Sequence, residues 1–155
     1  MPENWGLGCS SQRPLRYSNI VESAYDRDTG LRPMIADYME NGFLENIIDM
    51  FRHDSSLYGL VGELIQDERV RVRIGVTAMM EELRTLDSRN LLASVPVLLP
   101  LLDHDKPVVR GDVTNILGLI GDRGLLPVLE KMLRDEDPNV RTIAGEAIGE
   151  IMERR

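Results

Sequence analysis

The stretch that decides the fold is PVLEKMLRDEDPNVRTIAGEAIGEI, Pro127 to Ile151. A near copy, PVLLPLLDHDKPVVRGDVTNILGLI, stands 31 residues earlier, from Pro96 to Ile120. The two align without a gap, with proline, valine and arginine in register. A shift of 37 uncovers a third copy, LVGELIQDERVRVRIGVTAMMEEL, from Leu60 to Leu83. The six extra residues fall in RTLDSRNLLAS, Arg84 to Ser94, which reads as a longer connection. Self-similarity at a period of 30 to 40 residues is the mark of a stacked repeat.

Each copy divides into two helical halves. The first half of the last copy opens with Pro127, which suits a first helical turn. A break follows at RDEDP, where Asp137 can cap a second helix whose first residue is Pro138. In that second half the apolar residues recur in columns: Val72/Val109/Val140, Val76/Val113/Ala144, Met79/Ile116/Ala147, Met80/Leu117/Ile148 and Leu83/Ile120/Ile151. Steps of four, seven, eight and eleven residues make the stripe of a helix buried along one side. RVRVR, Arg69 to Arg73, alternates like a strand, but its register with the other copies assigns it to the start of a helix. One helical hairpin cannot hide its apolar face alone, so each copy needs a neighbour bearing the same face.

Composition agrees. The chain has 155 residues, with 43% hydrophobic and 28% charged residues, an ordinary balance for a globular protein. Aromatics amount to 5%, which leaves a core of Leu, Ile, Val, Met and Ala and favours packed helices over a sandwich. A net charge of −8 argues against non-specific nucleic-acid binding and against an anionic membrane surface. The single cysteine, Cys9, allows no intrachain disulfide and no thiolate metal cluster, and a reducing, cytoplasmic setting follows as the expectation. The opening MPENWGLGCSSQRPLR lacks the pattern of a secretory signal, and no segment has the length of a membrane span.

The run LLPLLDHDKPVVRGDVTNILGLIGDRGLLPVLEKMLRDEDPNVRTIAGEAIGEI resembles the short HEAT-like repeats first associated with phycobilisome lyases. The shared features are Leu-Leu before an acidic turn, a DP.VR junction, an Ala/Gly-rich second helix and an IGD exit. The resemblance covers Leu60 to Arg155. The upstream copy departs from it, with Val70 in place of the junction proline and no IGD after Leu83. It implies an all-α fold, a right-handed α-α superhelix in the form of a short HEAT-like solenoid, with hairpins at about 57–95, 96–126 and 127–155. Residues 1–16, which hold Trp5 and Cys9, read as a flexible tail. Residues 17–56 read as three short helices stopped by Gly30, Gly42 and Asp54, forming an N-terminal helical cap on one continuous domain.

Arg73, Arg110 and Arg141 share one column. The preferred reading is a structural ladder, each arginine bridging to an acidic group at an inter-helix turn such as Asp67, Asp103 or Asp135; the alternative is a row of cations that holds carboxylates or phosphates. The resemblance implies that the second helices line a concave face. Its candidates are Glu81, Glu82, Asp112, Asn115, Leu119, Ile143, Glu146 and Glu150, a mildly acidic surface with Leu119 and Ile143 as apolar anchors. His53 and His104 lack metal-ligand spacing, and His104 aligns with Asp67 and Asp135 as a turn residue. No phosphate loop or nucleophilic triad is present. The sequence therefore predicts a non-catalytic adaptor or scaffold without cofactor or metal, binding a protein of basic or neutral surface, with no nucleic acid and no membrane. The alternatives are a chromophore or bilin lyase-like accessory protein, a repair glycosylase, and self-association through the C-terminal repeat by Ile143, Ile151 and Met152.

Overall fold

Proline stands in the first turn of most of the helices, and glycine follows the helices that end at Glu40 and Ile120. The computed structural model describes residues 30–154, and among them the regular elements are all helical. Two short helices come first: α1 (Arg32–Glu40) and α2 (Leu44–His53). Gly42, at φ 87°, carries the left-handed turn that stops α1. The tail at 1–16, with Trp5 and Cys9, and the first expected cap helix up to residue 29 lie outside the described residues.

Three hairpins follow. The first pairs α3 (Val61–Leu64), entered through a 3₁₀ turn at Ser55–Leu60, with α4 (Val70–Leu86). The second pairs α5 (Val95–Leu98) with α6 (Pro107–Ile120). The third pairs α7 (Leu126–Met132) with α8 (Pro138–Glu153). RVRVR opens α4, as its register requires. The long connection is accounted for by α4 running on to Leu86 and by a 3₁₀ turn at Asn90–Ser94. α5 is only one turn long. Pro100 has no N–H and crowds the preceding turn, and the chain continues as 3₁₀ helix over Leu99–Asp103.

The turn inside each hairpin is built the same way. Asp67 Oδ1 accepts the Arg69 N–H at 2.9 Å, and Asp135 Oδ1 accepts the Asp137 N–H at 2.9 Å. His104, in the same column, does this with Nδ1, which accepts the Lys106 N–H at 3.0 Å. Its imidazole therefore serves the turn. α8 alone of the three second helices is capped by a side chain, Asp137 accepting the N–H groups of Asn139 and Val140 at 2.8 and 3.2 Å.

The predicted columns form the core. Val72, Val76, Met79, Met80 and Leu83 of α4 are buried, as are Val109, Val113, Ile116, Leu117 and Ile120 of α6 and Val140, Ala144, Ala147 and Ile151 of α8. Ile148 is half-buried against them. The second helices stack in order, α4 on α6 and α6 more extensively on α8. Two glycines set how closely elements approach. A Cβ on Gly118 of α6 would lie 2.5 Å from the Cβ of Ala147, and one on Gly62 of α3 would lie 2.8 Å from the Val97 carbonyl oxygen. α1 and α2 pack on α4, with Met39 of α1 against Gly75. Phe51 and Tyr58 meet edge to face at 5.2 Å, and the Tyr58 hydroxyl donates to Asp87 at 2.8 Å, tying the start of the first hairpin to the loop after α4.

Candidate functional site

The arginine column shows how the repeats are joined. In all three copies the arginine lies in the first turn of a second helix, and its Nη1 donates to the carbonyls six and five residues earlier. Arg73 reaches Asp67 and Glu68 at 3.0 and 3.2 Å, Arg110 reaches His104 and Asp105 at 2.8 and 3.2 Å, and Arg141 reaches Asp135 and Glu136 at 2.7 and 3.1 Å. These carbonyls sit where the chain turns between helices and has no ladder partner of its own. In Arg73 and Arg110 the remaining guanidinium N–H groups reach the next repeat.

There the copies diverge. Arg110 grips Asp135 of the following turn with two parallel bonds of 2.8 Å, and the two side chains are 8% and 7% exposed. This fork holds the Asp135 carboxyl below the usual aspartate value. Asp103, in Arg110's own hairpin, is not its acidic partner, because the fork points forward along the stack. The position equivalent to Asp135 one repeat earlier is His104, which offers Arg73 no carboxylate. Arg73 instead donates from Nε to Asp112 on α6 at 3.1 Å. Burial pushes the Asp112 carboxyl above its ordinary value, while Arg73 pulls the other way. Arg141 is exposed, and its Nε and Nη2 have no partner among the described residues.

Between α4 and α6 lies an open groove of about 410 Å³, walled by Val70, Arg73, Ile74 and Ala78 on one side and by Asp112 and Asn115 on the other, with Glu81 at its end. A second opening of about 330 Å³ adjoins it through Glu81 and takes in Leu119, Glu150 and Glu153. Arg84 and Arg154 flank it. Arg84 donates to the Leu119 carbonyl at 3.5 Å, and Arg154 donates to the carbonyls of Gly121, at 2.8 Å, and of Gly118. Two cations thus cover the C-terminal end of α6, where the helix dipole favours positive charge.

Of the residues singled out from the sequence, Glu81, Asp112 and Asn115 line the first groove, and Glu81, Leu119 and Glu150 line the second. Glu82 and Glu146 are exposed and line neither. Leu119 is only 8% exposed, so it belongs more to the core than to a free anchor. Ile143 is half-buried, with its Cδ1 pointing to the space beside Gly111. Its column, Gly75/Asp112/Ile143, faces the preceding helix. The exposed apolar groups on this side are Val70 and Ile74, which the sequence reading did not mark. Their signal was there, since Ile74 falls in the column of Gly111 and Thr142. The apolar open end expected from Ile143, Ile151 and Met152 reduces to Met152, because Ile151 is core and Ile143 is packed on α6.

Residues 95–155, from α5 to the end of the chain, match the family model for HEAT repeats. That stretch is of the HEAT-repeat kind. The α3/α4 hairpin lies upstream of the match and is joined to the HEAT repeats by its shared columns and its arginine. The match is to HEAT repeats at large and does not distinguish the phycobilisome-lyase subtype. No curated protein matches the chain. HEAT repeats commonly act as scaffolds for protein interactions and are typically non-catalytic. No helix among the described residues is long and apolar enough to cross a membrane.

Proposed function

We propose that this protein is a non-catalytic adaptor that works in a reducing compartment, the cytoplasm. It presents the solvent side of α4, α6 and α8 to a protein partner of basic or neutral surface. The observation that carries this reading is the pair of adjoining grooves along that side, linked by Glu81 and edged by Asp112, Asn115 and Glu150. Glu82 and Glu146 extend the acidic character along the same helices. Stacked hairpins, joined by their shared core and by the buried Arg110–Asp135 pair, hold this surface in place before a partner arrives, so little ordering entropy is lost on association. Acidic rims chiefly govern the rate and choice of encounter.

The test is partner capture by the immobilised full chain. Glu146→Lys with Glu150→Lys should abolish capture of a partner while leaving the circular dichroism spectrum and the melting temperature unchanged. Lys131→Glu with Arg134→Glu, on the exposed side of the α7 hairpin arm, should leave capture intact. Capture that survives the first pair, or is lost equally with both, overturns the assignment of the face.

A further inference from the structure

The repeat rule fails at one interface, and the failure makes the larger groove. Where α6 meets α8, the α6 positions are Gly111 and Gly118, and Ile143 and Ala147 seat on them. The same columns of α4 hold Ile74 and Glu81. Side chains of that size keep α6 from settling on α4 as closely as α8 settles on α6, and Ile74 and Val70 stay 62% and 57% exposed. Because His104 replaces the expected turn acid, Arg73 is drawn to Asp112 and anchors the floor of the opening. Asp112 lines the opening beside Arg73 and is about a third exposed, and only its Oδ2 is bonded among the described residues.

We infer that this cleft is a subsite for an arginine side chain of the protein partner, presented beside an aliphatic residue. The inference rests on the adaptor reading above and names the chemistry that its partner must carry. The guanidinium would share the Asp112 carboxylate with Arg73 through its second oxygen and donate to the Glu81 carboxylate and the Asn115 amide oxygen, the two carboxylates outweighing the one cation in the cleft. The aliphatic neighbour would cover Val70 and Ile74, removing exposed apolar surface from water. Burial has already driven the Asp112 carboxyl upward, and an incoming cation would bring it back down. Binding should therefore weaken as the pH falls through the Asp112 titration.

The probe is the blocked dipeptide acetyl-Leu-Arg-amide, titrated into the ¹⁵N-labelled full chain, with acetyl-Leu-Glu-amide as control. The arginine peptide should shift amides in residues 70–81 and 112–115, saturating in the millimolar range. Asp112→Asn and Ile74→Ser, both at positions outside the core, should each weaken that binding at least tenfold with the melting temperature held. Shifts scattered over the acidic surface and indifferent to Asp112→Asn, equal shifts with the glutamate peptide, or no shifts at all would each overturn the subsite. Those results leave the adaptor reading standing if Glu146→Lys with Glu150→Lys still abolishes capture, so the two failures are distinguishable.

Discussion

The three arginines of one column should differ in what they contribute to stability, and the order follows from what lies ahead of each. Arg110→Met keeps the aliphatic stem but removes two bonds to Asp135 and two to turn carbonyls. It strands a carboxylate that is 7% exposed and keeps only the Asp137 N–H as donor. Removing one partner of such a buried pair costs about 3–5 kcal/mol. Arg141→Met loses two bonds to carbonyls that water can reach in its place, which puts it at the low end of the ~0.5–1.5 kcal/mol of a neutral exchange. Arg73→Met falls between them, because Asp112 has open solvent on one side. The assay is urea unfolding followed by circular dichroism. With a slope of about 2 kcal/mol per molar, Arg110→Met lowers the midpoint by about 1.5–2.5 M and Arg141→Met by less than about 0.5 M. Arg110→Met with Asp135→Leu should recover at least half of the loss, since a pair of apolar residues strands no charge. Equal shifts for Arg110 and Arg141 would refute the reasoning, because they would mean that the shared turn carbonyls, and not the forward ion pair, bolt the repeats together.

The glycine column makes a second contrast: Gly118→Ala should destabilise by more than about 1 kcal/mol because its Cβ overlaps Ala147, while Gly149→Ala, facing open space, should stabilise by up to ~1 kcal/mol through helix propensity, both read as thermal midpoints. Asp137→Ala removes the side-chain cap of α8 and should cost about 1 kcal/mol in urea unfolding, with Asp137→Ser restoring most of it. Acid should act on Asp135 and Asp112 in opposite senses. The depressed Asp135 carboxyl contributes stability that is complete above the ordinary aspartate range near 4 and is lost as the pH falls through its lower folded value. The raised Asp112 carboxyl opposes folding at neutral pH and is relieved as it takes up a proton. Unfolding midpoints measured against pH should accordingly fall less steeply below pH 4 in Asp135→Asn, and Asp112→Asn should equal or exceed the parent at pH 7.

Much of the fold was legible because it is a local property repeated. The Val72/Val109/Val140 and Val76/Val113/Ala144 columns specify which side of each second helix is hidden, and helical periodicity carries that to the structure without further information. The turn chemistry was legible for the same reason, down to His104 standing in for an aspartate. The candidate surface was legible only in part. Glu81, Asp112, Asn115 and Glu150 reach the grooves, whereas Leu119 and Ile143 are drawn inward by contacts that a column alone does not reveal.

The sequence by itself determined the helical hairpins, their core faces and the arginine in each turn, since these follow from spacing along one chain segment. Only the tertiary structure decided which acid Arg73 and Arg110 hold, and that α4 and α6 stand apart where α6 and α8 close up. The physical reason is that inter-helix distance is fixed by the pairs of side chains that meet across an interface. Gly118 against Ala147 permits contact, whereas Ile74 and Glu81 stand in the way of α6, and that meeting exists only once the chain has folded.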